Sequence, residues 1–223
     1  MHRFISFLAL ALGALLPVIN PVGSSLVFLG MVGDASQPVF RALARKIAVT
    51  TALFLLVLDL AGAAVLKLFG ISLPVVQLAG GLVLAAMGWG LLNNKSEAAG
   101  QKNAAQPHQD ISALQRMVFY PFTFPVTAGP GVLVVMLTLS AHASKGSIMH
   151  MVVSQLGILS GMAIMCVAVF VFYAWAPAIT AKVPPSTAQG ILRVIAFILL
   201  CIGVQIAWNG LSALISTMGA PQN

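Results

Sequence analysis

Acidic side chains are nearly missing from this chain: Asp34, Asp59, Glu97 and Asp110 are the only four in 223 residues, and charged residues of both signs make up just 7%. A soluble domain carries about a quarter charged residues, so a water-facing globule is excluded. No acid pair falls within the apolar segments, which removes acid–base chemistry by paired carboxylates. Cysteine is as scarce. Cys166 and Cys201 each sit inside an apolar run, with neither metal-ligand spacing nor a disulfide framework. His142 and His150 flank an expected turn and read as solvated loop residues rather than as a metal pair. The chain is therefore not expected to be an enzyme, and no metal or other cofactor is expected.

What is abundant is apolar surface. Hydrophobic residues make up 60% of the chain, and the mean hydropathy is +1.02. The net charge of +7 comes from Lys and Arg scattered singly between apolar runs, without the basic stripe that nucleic acid requires. The expected partner is the lipid bilayer, with a small-molecule substrate and no nucleic acid; a homo-oligomer is left open.

A membrane-spanning helix needs about 20 mostly apolar residues, and six segments qualify. They run from about Phe4 to Val32, Ala48 to Leu68, Pro74 to Leu92, Ala113 to Ala141, Ile148 to Trp175 and Gln189 to Ser216. The start, MHRFISFLALALGALL, resembles a secretory signal. Its apolar run continues beyond Pro17, however, so it is read as a retained first span. The one long polar stretch, residues 93–112, divides the chain into a first unit, 1–92, and a second, 113–223. The expected architecture is all-α and polytopic: six transmembrane helices as two inverted three-helix repeats, with helices 1 and 4 discontinuous. Two sequence echoes support it: NPVGSSLVFLGM against FPVTAGPGVLVVML, and VQLAGGLVLAAMGWGLL against RVIAFILLCIGVQIAWNGL. An odd number of crossings per repeat turns the second copy over. Arg41, Arg45, Lys46, Lys95, Lys102, Arg116, Lys182 and Arg193 fall on one side, and only Arg3, Lys67 and Lys145 on the other. By the positive-inside rule both termini lie outside the cytoplasm.

The first and fourth segments are interrupted, at Pro17–Ser25 and at Pro121–Gly131. Proline inside a helix costs about 3 kcal/mol, and in lipid the freed carbonyls need partners within the protein. Pro17 and Pro21 break one segment; Pro121, Pro125 and Pro130 break the other. Small and hydroxyl residues gather at the same places: Asn20, Gly23, Ser24 and Ser25 in the first, Thr123, Thr127, Gly129 and Gly131 in the second. One kink satisfied by Ser or Thr hydroxyls needs no ligand, but two matched breaks in corresponding positions point to a transporter site. Half-helices starting near Ser24 and Val132 would offer N–H groups to a carboxylate. Unwound carbonyls and Asn20 would suit an ammonium group or a small cation.

The NPVG segment, PFTFPVTAGPG and FGISLPVVQLAGGLVL together resemble the MarC family of bacterial inner-membrane proteins, over nearly the whole chain. The resemblance implies a six-helix plasma-membrane transporter, with small neutral amino acids as the leading substrate class. Its aspartate-proline-x-glycine-asparagine motif falls on Asn20, Pro21, Gly23 and Ser24. Asn20 stands where many members have aspartate, and Gln77 where arginine is frequent.

The expected substrate site is thus Asn20, Pro21, Gly23, Ser24, Ser25, Thr123, Pro125, Thr127, Gly129 and Gly131. Asp59 is the one acid deep in an apolar segment, and an intramembrane acid is costly enough to suggest a function; it is the candidate for proton coupling. The alternative is an Asp held protonated by a neighbouring helix. Gln77, Gln155, Gln205 and Asn209 read as amides bonding between helices, and Gly80, Gly81 and Gly88 as packing surfaces. The expected function is a secondary transporter of a small neutral solute working by alternating access. An uncoupled channel and a non-transporting regulatory protein are the alternatives.

Overall fold

In the computed structural model, which describes residues 2–93, 111–143, 147–182 and 185–218, every element is a helix. Most of the 93–112 linker, with Lys95 and Lys102, lies outside the described residues, as does Lys145. Helix α1 (His2–Ile19) and α2 (Pro21–Val32) are joined by Asn20 alone. Together they make one apolar span of 31 residues. The first break is therefore narrower than expected, because Pro17 is accommodated inside α1.

Helix α3 (Gln37–Leu68) starts well before Ala48, the expected beginning of the second span. Phe40, Leu43, Ala44 and Ile47 form a buried stripe there, with Arg41, Arg45 and Lys46 on the exposed face. An amphipathic turn carries the helix beyond its uniformly apolar part. Helix α4 is Leu73–Asn93 and α5 is Ile111–Arg116. A π-helical segment, Val118–Thr127, leads into α6 (Pro130–Ala143). Then come α7 (Ile148–Ala174), α8 (Ala176–Lys182) and α9 (Pro185–Met218).

Among the described residues, four helical stretches are long and apolar enough to cross a membrane: α1 with α2, α4, α7, and most of α9. The π-helical segment and α6, bent by 69°, make a fifth when taken as one span. The discontinuities expected in the first and fourth segments are both present. The segment expected as the second crossing is the C-terminal part of α3.

Helix α7 is the centre of the bundle. Of its span 44% is buried, against 28% for each of the other three. Helix α1 packs on α7 at Gly157 and Gly161, where an added Cβ would press on Phe4, Phe7 and Ala11. Helix α3 lies antiparallel on α7, since Gln37 near its start donates to the Ala174 carbonyl (2.8 Å) and Asp59 near its end meets Gln155. Both the π-helical segment and α6 pack on α3.

Helices α4 and α9 form the most extensive pair, and they meet backbone to backbone. A Cβ on Gly81 would overlap the backbone of Gly203 and Ala207; one on Gly203 would overlap that of Gly81 and Ala85. Likewise Gly88 faces Ala196 and Leu200, while Gly210 faces Pro74 and Leu78. The pair is thus antiparallel, and exchanging the two helices maps one set of contacts onto the other. Small residues are what permit this approach, since apolar burial gives no net drive between helices in lipid.

Overpacking this seam costs about 1–3 kcal/mol. Gly203→Leu is expected to lower the thermal unfolding temperature in detergent, whereas Gly90→Ala, which has open space around it, leaves it unchanged.

Candidate functional site

The first break is built by one residue. Asn20 adopts a left-handed conformation (φ 44°, ψ 66°), which asparagine tolerates better than other side chains. Pro21 behind it disfavours the right-handed helical region for Asn20. The Asn20 Oδ1 accepts the Gly23 N–H (3.0 Å), and the Asn20 carbonyl accepts both the Ser24 N–H and the Ser24 hydroxyl (2.9 Å each). Gly23 has to be glycine, because a Cβ would overlap the Asn20 side chain that caps the helix. The Ser25 hydroxyl donates to the Val22 carbonyl (2.7 Å).

The second break is wider and repeats itself. Tyr120 (φ −121°, ψ 122°) and Phe124 (φ −119°, ψ 125°) are extended, and each precedes a cis proline, Pro121 and Pro125. Three residues after each aromatic, a threonine hydroxyl donates to a carbonyl of the preceding turn: Thr123 to Val118 (2.8 Å) and Thr127 to Phe122 (2.7 Å). The wide N–H bonds of Phe122 to Met117 (3.1 Å) and of Ala128 to Thr123 (2.8 Å) complete the segment. An aromatic-Pro-x-Thr unit therefore occurs twice in tandem, Tyr120 to Thr123 and Phe124 to Thr127. It is visible in the sequence, and reading proline only as a helix breaker overlooks it.

Tyr173 of α7 joins the two breaks. Its ring is fully buried and its hydroxyl lies 2.7 Å from Thr127 Oγ1. Since that threonine already donates to Phe122, the phenol is the donor. The Ser24 hydroxyl, which donates to the Asn20 carbonyl, lies beside the same phenol. Phe28 stacks on the Tyr173 ring at 4.6 Å and meets Phe122 and Phe40 edge-on at 5.2 and 5.8 Å. Ser24 and Thr127, from opposite halves, are thus brought to one buried point. Nothing in the sequence around Tyr173, a lone tyrosine ending an apolar run, signals this role.

The other expected residues are arranged more loosely. Asn20, Gly23 and Pro21 form the turn before Ser24, and Pro21 is buried. Ser25 and Thr123 spend their hydroxyls on their own helices. Gly129 lies against the Pro125 carbonyl and Gly131 against Leu84 and Val18, while Pro125 itself is exposed. The half-helices begin at Pro21 and Pro130, a little earlier than expected, and the N–H groups of Gly23, Ser24 and Val132 already have acceptors. Two cavities, of about 320 and 420 Å³, lie away from the Tyr173 junction, between α3, α4 and α6. Ser24, Thr127 and Tyr173 are all buried, so the junction is closed in this conformation.

Asp59 is 5% exposed. Gln155 of α7 donates to its Oδ2, and Ser140 of α6 donates to its backbone carbonyl (3.1 Å). Its Oδ1 has no hydrogen-bond partner, and neither does Thr51 Oγ1 two turns earlier on the same buried stripe. Of the other amides, Gln77 is buried beside Gly210, and Gln205 donates to Asn209 (3.0 Å) on the exposed side of α9.

A family-wide sequence profile described as MarC family integral membrane protein matches residues 5–215. The chain belongs to the MarC family. It is 29% identical over 217 residues to the UPF0056 inner membrane protein MarC of Escherichia coli O1:K1 / APEC, an alignment covering 95% of this chain and 97% of that one. It is 28% identical over 225 residues to the protein of the same name from Salmonella typhimurium (strain LT2), with the same shares covered. No solved structure matches. With its several apolar helices this MarC family member is a multi-pass inner-membrane protein.

Two variants test the construction of the breaks. Asn20→Ala removes a helix cap and places alanine in a left-handed conformation, for a loss of about 2 kcal/mol in thermal or denaturant unfolding; Asn20→Asp, which keeps the capping oxygen, stays close to wild type. Tyr173→Phe removes the hydrogen bond to Thr127 and costs about 1 kcal/mol.

Proposed function

We propose that this MarC family protein is a secondary transporter of a small neutral solute, with small neutral amino acids as the leading class. It crosses the membrane six times, as two inverted three-helix repeats. The first repeat is α1 with α2, then α3, then α4; the second is the π-helical segment with α6, then α7, then α9. In this arrangement both termini face away from the cytoplasm, and 93–112 is the linker.

The packing favours this reading because it keeps its pattern when the halves are exchanged. The first span lies on the fifth, and the fourth on the second. The second and fifth pack on each other, as do the third and sixth, the latter through the matched glycine contacts. A break interrupts the first span of each repeat. Arg41 over the Trp175 ring (5.4 Å) puts the basic start of α3 beside the end of α7, as a shared cytoplasmic side would require.

The observation that carries the proposal is the Tyr173 junction. There a hydroxyl from each break meets one phenol, with small residues and unwound backbone on both sides. In the closed state Tyr173 and Thr127 of the second half hydrogen-bond each other against Ser24 of the first, and both sides become open to the ends of a small polar solute when the halves part. Ligands gathered from the interface between repeats are what alternating access uses. Asp59, between α3, α6 and α7 with one carboxylate oxygen unpartnered, is the group we assign to proton coupling.

Liposomes preloaded with unlabelled alanine and supplied with labelled alanine or glycine test the proposal. Saturable counterflow is expected, reduced about tenfold in a folded Thr127→Val variant, the worth of one hydrogen bond. Asp59→Asn is expected to keep counterflow and to lose accumulation driven by a pH gradient. Uptake that never saturates would indicate a channel, and no flux for a panel of small metabolites would remove the transport assignment.

A further inference from the structure

The two cavities are parts of one groove. The larger, about 420 Å³, lies between α3, α4 and α6, and its lining from Val57 to Leu66, Val76 to Val83 and Pro130 to Leu137 is wholly apolar. The smaller, about 320 Å³, shares Leu66 and Leu137 with it and adds Lys67 and Ser72 at the turn between α3 and α4, with Ala141 of α6 opposite. The volumes fall within the about 300–1,000 Å³ of small-molecule sites.

The groove opens sideways as well as upward. Val57, Val65 and Val83 along its walls are 59%, 47% and 46% exposed. Gly62 and Gly80 on its walls let Leu137 and Val134 of α6 pack closely against α3 and α4. At about 1.5 Å per helical residue, the path from Val57 to Lys67 is about 15 Å long. That is one leaflet of a hydrocarbon core about 30 Å thick. Water has no polar partner along such a lining, and an empty groove would forfeit the contacts of its walls.

Lys67 stands at the mouth, in the last turn of α3. Among the described residues no carboxylate pairs with it. With α3 crossing the membrane as proposed above, its ammonium falls at the depth of the headgroups, where a long basic side chain reaches the interface.

We infer that this groove is a binding site for one anionic phospholipid of the surrounding leaflet, with an acyl chain along α3, α4 and α6 and the headgroup phosphate at Lys67 and Ser72. The lipid's inner end reaches Pro130, where α6 begins after the second break. It is thus placed to brace the bent helix, whatever solute the protein carries.

The full-length protein, purified in a mild detergent, is incubated with phosphatidylglycerol or with phosphatidylcholine of identical acyl chains, and retained lipid is counted by native mass spectrometry. One phosphatidylglycerol is expected to be held, about fivefold in preference to phosphatidylcholine, the worth of one lysine near an anionic headgroup. Lys67→Gln should bring the two lipids to parity. Ala61→Phe and Val83→Phe, which fill the groove from opposite walls, should each release both lipids, and thermal unfolding identifies whichever variant is folded. Equal retention of the two lipids by wild type, selectivity that survives Lys67→Gln, or undiminished retention in a folded groove-filled variant would each overturn the site. So would a lipid-free dimer, because a second copy would then be the occupant.

Discussion

A backbone carbonyl released inside hydrocarbon has to be satisfied from within the chain, and the two broken helices are built around that constraint. At the first break one asparagine supplies both the left-handed turn and the capping oxygen, so the interruption is confined to a single residue and α1 and α2 stay one span. At the second, two threonine hydroxyls bond the Val118 and Phe122 carbonyls of the interrupted helix, and the helix widens and bends. Asn20 thus has a structural duty that an aspartate would perform equally well, since both residues cap helices and tolerate the left-handed region. Where the family resemblance implies aspartate, the asparagine here keeps the break and gives up the charge. That leaves Asp59 as the acid buried between helices.

The same constraint explains why the breaks sit next to Tyr173. Hydroxyls that have met their backbone obligations retain spare acceptor capacity, and in a buried site that capacity needs a donor. The phenol of α7 supplies it to Thr127, with Ser24 beside it. The aromatic ring below fills the space with Phe28, Phe122 and Phe40. The glycine-lined pair α4 and α9, by contrast, packs backbone against backbone. A symmetric seam and a hydrogen-bonded junction of small groups are the two kinds of contact that the rocking between repeats proposed above would use.

Much of this was legible in the sequence. The apolar runs mark every long helix, and the clusters of Pro, Gly and hydroxyl residues mark both breaks, because lipid imposes a nearly uniform rule on composition. The early start of α3 is hidden because Arg41, Arg45 and Lys46 read as loop, although Phe40, Leu43, Ala44 and Ile47 carry a helical stripe between them. The register of the two halves is harder still. Aligning the Trp-Gly-Leu endings matches Trp89 with Trp208, about a turn away from the register in which Gly81 and Gly203 exchange contacts. Aromatic residues at membrane ends follow the interface, whereas glycines follow the packing. Gln155 reads in the sequence as an amide bonding between helices, and it does so at Asp59, whereas Tyr173 leaves no signal, since its importance lies wholly in what faces it across the bundle.

The central claim is that the Tyr173 junction is one closed state of a site that opens between the halves. It is tested most directly by placing a single reactive thiol there: Ser24→Cys in a protein whose free Cys166 and Cys201 have been replaced, probed with a membrane-impermeant maleimide from each face of oriented vesicles. The account predicts labelling from at least one face at a rate that changes when alanine or glycine is added. A folded protein whose Cys at this position stays inert from both faces, with and without solute, would contradict it and leave the two breaks as fixed kinks.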